Sequence, residues 1–226
     1  MNLHPPSRRP ITVSDEALAQ RCRRGRVVLI DDDLEILSAL ASLLDFEGYA
    51  CETYPSALQY LQVIAFNQPQ FAGPSCILCD VNMPLLDGLE LQRRLLDLTE
   101  VPMLLMSGSS GAREAVTAYR GGAIDFLIKP IDADMLLGAV QRAMLVSRES
   151  QAQRIQALDV GRRVAALTVR EREIARRVSL GQINRQIAAD LCIALRTVKL
   201  HRQSLMEKLE VQTVVDLGRL VDQAGL

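Results

Sequence analysis

Apolar residues recur along the first two thirds of the chain in two alternating patterns. Val27-Val28-Leu29-Ile30 is a continuous apolar run that stops at Asp31-Asp32-Asp33, which fits a strand buried on both faces. Ile36, Leu37, Leu40, Leu43 and Leu44 follow at helical spacing, and Gly48 closes that helix. The alternation then repeats. Ala50–Tyr54 predicts a second strand, and Pro55 opens a helix carrying Leu58, Leu61, Val63 and Ile64. Ser75–Asp80 is a third strand, ending in an acid and followed by the turn signals Pro84 and Asp87-Gly88. Leu89–Leu98 reads as helix, Val101–Met106 as strand, Ala112–Arg120 as helix and Ile124–Ile128 as strand. Strands that alternate with helices require right-handed crossovers and hence a parallel, doubly wound sheet.

Residues 132–165 predict one long helix, with Leu136, Leu137, Val140 and Met144 on its buried face. Past Met144 it turns polar, with Ile155 and Leu158 as a sparse apolar stripe. From Leu167 the pattern is helical only. Thr168 with Glu171 three residues on is a capping box that starts a helix through Val178, and Gly181 ends it. Asn184–Leu191 is a short helix, Cys192-Ile193 turns the chain, and Thr197–Leu209 and Thr213–Val221 are the last two helices. Four short helices with a tight turn between the second and third make a helix-turn-helix domain. The expected fold class is therefore α/β, a flavodoxin-like (βα)5 domain followed by a long helical linker and an all-α four-helix domain. The expected boundaries are 1–25 for an N-terminal extension, 26–145, 146–161 for the linker, and 162–226. A short helix at Ser14–Arg21 and a basic cluster of Arg21, Arg23 and Arg24 fall within or beside the extension.

Charge divides along the same line. Residues 26–145 hold 7 Lys+Arg against 16 Asp+Glu, whereas residues 162–226 hold 12 against 7. An acidic half joined to a basic half predicts a cation as partner on one side and nucleic acid on the other. No apolar run approaches the ~20 residues of a membrane span, and the N-terminus lacks a secretory leader, so a cytoplasmic location without membrane contact is expected. The five cysteines include a C-x-x-C at Cys76 and Cys79. In a strand, residues three apart face opposite ways, so these thiols diverge, and the cysteines are expected to be small buried hydrophobes.

The acids at the strand ends carry the chemistry. In a flavodoxin-like order the first and third strands are neighbours, which places Asp31, Asp32 and Asp80 in one crevice. Three carboxylates there call for a hard divalent cation such as Mg2+, which takes a few oxygen ligands and keeps several waters. One carboxylate of the Asp31–Asp32 pair, Asp80 and a backbone carbonyl just beyond Asp80 are the candidate ligands. Ser107 ends the fourth strand and Lys129 follows the fifth. Only 3 of the 26 Lys+Arg residues are lysines, which marks Lys129 as a place where a compact ammonium is wanted. A carboxylate nucleophile, a metal, an ammonium and a hydroxyl are the parts needed to accept a phosphoryl group.

Asp31-Asp32, Asp80 with V-N-M-P-L-L-D-G, Ser107 and Lys129-Pro130 resemble the receiver domain of bacterial response regulators over residues 26–145. The resemblance implies that Asp80 is phosphorylated and that Ser107 and Lys129 assist the transfer. It also implies Asp32, Asp80 and the Asn82 carbonyl as Mg2+ ligands, with Asp31 acting through water. Ser107 and Phe126 match the family's switch pair, in which the hydroxyl moves toward the phosphate and the aromatic follows it inward.

In the basic half, Val198, Leu205 and Leu209 share an apolar face with Ile187, Ala188 and Leu191, and Lys199, Arg202 and Gln203 lie opposite. Asn184, Arg185 and Arg196 stand at helix starts, where phosphates are commonly held. The runs L-T-V-R-E-R-E-I, N-R-Q-I-A-A-D-L and R-T-V-K-L-H-R-Q-S-L-M-E-K-L resemble the LuxR-type domain of NarL/FixJ regulators, and of FixJ-like regulators in style. That implies Lys199, Leu200 and Gln203 toward bases, and Thr197 and Arg202 toward backbone. Ala194 stands where the family usually has a capping Ser or Thr. Loss of such a cap costs about 0.5–2 kcal/mol. The last helix, with Val214, Val215, Leu217, Leu220 and Val221, is the usual dimer face of that family.

The sequence therefore predicts a transcriptional regulator of a two-component system and not an enzyme. Its expected partners are a sensor histidine kinase, promoter DNA and, once phosphorylated, a second copy of itself. Two rivals remain at this level: a phosphorylation-independent DNA-binding regulator, and a Mg2+-dependent aspartyl phosphatase. The latter usually has a second acid two residues after the first, where this chain has Asn82.

Overall fold

A computed structural model describes residues 24–66, 73–108 and 112–226. The expected helix at Ser14–Arg21, together with Arg21, Cys22 and Arg23, lies outside the described residues. The chain forms two compact units that divide between Gln151 and Ala152.

The first unit holds five strands: β1 (Arg26–Ile30), β2 (Ala50–Tyr54), β3 (Ser75–Asp80), β4 (Met103–Ser107) and β5 (Asp125–Ile128). They form one parallel sheet in the order β2-β1-β3-β4-β5. Between them run α1 (Leu34–Phe46), α2 (Ala57–Phe66), α3 (Gly88–Leu95) and α4 (Ala112–Arg120), and α5 (Ala133–Ala165) follows β5. This is the flavodoxin-like arrangement. Strand four starts two residues later than the pattern suggests. Pro102 has no N–H to give the ladder, although its carbonyl still accepts from Ile77 N at 2.9 Å.

Alternation along each strand builds two cores. Val28, Ile30, Ile77, Cys79 and Leu105 pack on one face against Tyr60, Ile64, Leu91 and Leu95. Val27, Leu29, Cys76, Leu78, Leu104 and Met106 pack on the other, against Leu37 and Leu44 of α1 and Leu136, Val140 and Met144 of α5. Cys76 and Cys79 thus diverge to opposite faces, and burial pushes both thiols well above their ordinary range. Among the described cysteines Cys51 is half-buried and Cys192 is exposed. Cys192 occupies the turn before the helix Leu195–Leu209 with a left-handed φ of 51°, where turn geometry and not burial decides the position.

The far end of the sheet is tied by polar side chains of α5. Ser147 Oγ accepts from Ser75 N at 3.0 Å, and Gln151 Nε2 donates to Gly73 O at 2.6 Å. Ser150 Oγ donates to Glu100 at 3.2 Å.

The second unit contains α6 (Val169–Ser179), α7 (Asn184–Asp190), α8 (Leu195–Leu209) and α9 (Val214–Ala224). Ile174, Val178, Ile187, Val198, Leu205, Leu217 and Val221 meet in its core, joined by Val160 and Val164 of α5. The capping box is present: Thr168 Oγ1 accepts from Glu171 N, and Glu171 accepts from Thr168 N at 2.8 Å. Glu171 has a second task that local pattern does not reveal. It is 3 % exposed and accepts from Lys208 Nζ at 2.7 Å and Ser204 Oγ at 2.7 Å on α8. Burial alone would raise its carboxyl. The Lys208 ammonium and the Ser204 and Thr168 hydrogen bonds outweigh burial and lower it to about 2.

A carboxyl depressed in this way stabilises the fold above its unfolded value and loses that contribution as pH falls through its folded value. Glu171→Gln is expected to cost the second unit about 2–3 kcal/mol at pH 7. The difference from the parent should close between about pH 5 and pH 2. Denaturant melts of both proteins across that range, followed by helical circular dichroism, provide the check.

Candidate phosphoryl-acceptor site and nucleic-acid interface

The parallel register brings the sequence-predicted acids to one edge. Ile30 pairs with Cys79 and Asp80 with Met106, so Asp31 and Asp80 leave adjacent strand ends side by side. Both are buried, at 1 % and 4 % exposure. Lys129 continues from β5, where its N–H donates to Ser107 O at 2.8 Å. Its ammonium then bridges the two acids, 2.7 Å from Asp31 Oδ2 and 2.6 Å from Asp80 Oδ1. Burial lifts the Asp80 carboxyl above its ordinary value, with Asp31 adding to the rise, against the opposing pull of Lys129 and the Asn82 N–H. Burial alone would lower the Lys129 ammonium, but its two carboxylate partners raise it.

A polar chain leads away from Asp80. Asn82 N donates to Asp80 Oδ2 at 2.7 Å, and Asn82 Nδ2 donates to Ser107 Oγ at 3.1 Å. Ser107 Oγ donates in turn to Glu114 Oε2 at 3.0 Å, on the first turn of α4. Phe126, the other half of the expected switch, is half-buried against the core face that holds Tyr60 and Leu91. Gly88 starts α3 directly beneath the site: a Cβ there would lie 2.3 Å from Asp80 O, so no larger residue fits without moving that strand end.

Asp32 is exposed. Among the described residues no three His, Cys, Asp or Glu side chains form a group able to hold a metal ion. The expected trio of carboxylates is thus a buried pair closed by Lys129, with Asp32 at the surface. Glu114 is the member that sequence reasoning missed. Its distance of seven residues from Ser107 crosses a glycine-serine loop, so helical spacing could not connect them.

Four of the predicted DNA-contacting residues of the second unit share one cleft. Asn184, Arg185, Lys199 and Arg202 line a single cleft of about 480 Å3, floored by Val178 and Leu195. Arg185, Arg196, Lys199, Leu200 and Gln203 are exposed, and Thr197 is half-buried. Gln203 Nε2 donates to Glu207 at 3.0 Å. Arg202 Nη1 donates to Asn184 Oδ1 at 2.6 Å, a clamp between α7 and α8 that the sequence did not suggest. Ala194 caps α8 with backbone only, without a side-chain hydrogen bond.

Residues 27–141 match the model of the response regulator receiver domain. Residues 165–221 match that of bacterial regulatory proteins of the luxR family. The chain is 34 % identical to the response regulator protein TmoT of Ectopseudomonas mendocina, over 87 % of this chain and 88 % of that protein. It is 32 % identical to the transcriptional regulatory protein FixJ of Bradyrhizobium diazoefficiens, over 90 % of this chain and 97 % of FixJ. The response regulator StyR is similar in structure, with a TM-score of 0.78 and 31 % identity over 88 % of this chain and 98 % of StyR. Full-length FixJ from B. japonicum gives a TM-score of 0.52 at 32 % identity, over 89 % of this chain and 97 % of that one. With a receiver fold followed by a LuxR-type helix-turn-helix, the chain belongs to the response regulators and is a two-component transcriptional regulator.

Proposed function

We propose that a partner histidine kinase phosphorylates Asp80, and that the modified residues 26–145 promote dimerisation and DNA binding by residues 162–226. Residues 1–25 are an extension in this reading, and residues 146–161 are the linker. The observation that carries it is the Lys129 bridge, which holds one buried carboxylate ready as acceptor beside another. The Asp80 carboxylate attacks phosphorus, so a P–O bond forms as the P–N bond of the kinase's phosphohistidine breaks and the imidazole keeps the electron pair. Lys129 neutralises charge on the transferred oxygens. Ser107 then gives its hydroxyl to one of them, and Phe126 follows into the space vacated. This alters the surface formed by α4 and β5, where copies of the chain meet, and shifts the population toward the active state.

Receiver domains generally bind Mg2+ at this position. The donor set here suits a hard cation: two buried carboxylates face one ammonium, which leaves excess negative charge among oxygen ligands. Asp32, Asp80 and the Asn82 carbonyl would hold the ion, with Asp31 acting through water, and it would supply charge neutralisation during in-line transfer. The chain acts in the cytoplasm, and among the described residues no helix is long and apolar enough to cross a membrane.

In the basic half, Lys199, Leu200 and Gln203 read base edges while Asn184, Arg185, Arg196, Thr197 and Arg202 hold the DNA backbone. Arg202 reaches phosphate from the α7–α8 clamp, which keeps its guanidinium ordered.

Acetyl phosphate with Mg2+ is expected to raise the DNA affinity of the parent chain by about 5–150-fold. Asp80→Asn should show no such rise, and chelation of the metal should abolish it in the parent. An equal response in the Asp80→Asn protein contradicts the assignment; fluorescence anisotropy with labelled promoter fragments measures it. Arg185→Ala is expected to weaken binding to any duplex about equally. It should also flatten the plot of log affinity against log salt by about one unit of slope, as read from salt titrations with non-specific DNA.

A further inference from the structure

The contact between Ser107 and Glu114 has a chemical consequence. A serine hydroxyl owns one proton. Asn82 Nδ2 can only donate to Ser107 Oγ, and the Glu114 carboxylate can only accept from it. Ser107 Oγ thus gives its proton to Glu114. A phosphoryl group on Asp80 also presents only acceptors, so it competes with Glu114 for the same proton. It also brings negative charge toward a carboxylate one hydrogen bond beyond that hydroxyl.

The element that carries Glu114 is loosely held. Of the residues of α4, Ala118 is the buried one, while Val116 and Tyr119 are 50 % and 51 % exposed. Its far end is fixed instead by a polar peg. Gln92 of α3 is 5 % exposed and donates from Nε2 to Ala118 O at 3.0 Å. A Cβ at Gly121 would lie 2.6 Å from Gln92 Oε1, so the chain passes close against this side chain. The Ser107–Glu114 bond secures the first turn of α4, and Gln92 secures the last. Breaking the first bond removes a tie at one end of the helix and leaves the Gln92 bond in place at the other.

We propose that Glu114 is a positioning residue that holds the Ser107 hydroxyl and the start of α4 in the unphosphorylated arrangement, and so sets the threshold for switching. This rests on the assignment of Asp80 as acceptor. Glu114 does not touch the phosphoryl group. It acts by retaining the proton that the phosphorylated form needs, and by tying the departure of that proton to the loss of a contact at the start of α4.

The test uses the full chain with Mg2+ and beryllofluoride as a non-hydrolysed phosphoryl mimic, with bound fluoride counted by fluorine NMR. Glu114→Ala is expected to lower the half-saturating beryllofluoride concentration about tenfold, equivalent to about 1.4 kcal/mol. Glu114→Gln, which keeps size and an acceptor oxygen but not the charge, should give a smaller shift and guards against loss of fold in the alanine variant. Both shifts should vanish in a Ser107→Ala background, an outcome that a merely structural role for Glu114 would not produce. An unchanged midpoint in both Glu114 variants, or shifts that persist in full without the Ser107 hydroxyl, overturns the proposal. If the parent and Asp80→Asn bind the mimic alike, the assignment of Asp80 has failed instead, so the two failures are distinct.

Discussion

Two carboxylates buried side by side at the end of a parallel sheet are the constraint on which the first unit depends. Asp31 and Asp80 arrive there because β1 and β3 are neighbours in register, and burial denies them the water that would otherwise screen their repulsion. Lys129 resolves part of the conflict from a third strand, reaching both acids within 2.7 Å. Removing one member of such a buried set typically costs about 3–5 kcal/mol. An arrangement this costly to disturb is poor material for stability alone. In the proposed function its value lies in reactivity: one ammonium does not balance two carboxylates, and the remaining negative charge would favour a cation and then an electrophile.

If Asp80 is the acceptor, as proposed, the same crowded edge offers a route from it toward α4. Asp80 is coupled through Asn82 to Ser107, and through Ser107 to Glu114 on α4. Each link is a hydrogen bond with a defined direction, so a change in what Asp80 accepts bears on the next link. Around this chain the sheet is rigid, with both faces packed by aliphatic side chains. The weakly packed helix beside it is the part free to respond. The outer side of α4 is linked to β5 as well: Tyr119 donates to Asp125, which is ion-paired to Arg142 of α5. In the second unit, Glu171 plays a different part. It starts α6 and grips α8 through Lys208 and Ser204, so the recognition helix has a firm base although its own start lacks a side-chain cap.

Much of this was legible in the chain. Apolar runs ending in acids marked β1 and β3, and the order of Asp31, Asp80, Ser107 and Lys129 pointed to one edge, because strand ends in a doubly wound sheet converge whatever the intervening length. The divergence of Cys76 and Cys79 followed from strand geometry alone. Other features depended on contacts that periodicity cannot report. Glu114 meets Ser107 across a loop, Arg202 meets Asn184 between helices, and Glu171 meets Lys208 thirty-seven residues away. The exposure of Cys192 was missed because a left-handed turn, and not hydrophobicity, governs that position. Asp31 and Asp32 are neighbours in sequence, yet Asp31 is buried against Lys129 and Asp32 is exposed.

Location of the phosphoryl group tests the account most directly. The full chain, phosphorylated with a small-molecule donor and Mg2+, is reduced with borohydride, which converts an aspartyl phosphate to homoserine, and the peptides are sequenced by mass spectrometry. Homoserine is expected at position 80 and nowhere else. Homoserine at position 31 or 32, or its absence from a protein whose DNA affinity nonetheless rises with the donor, would contradict it.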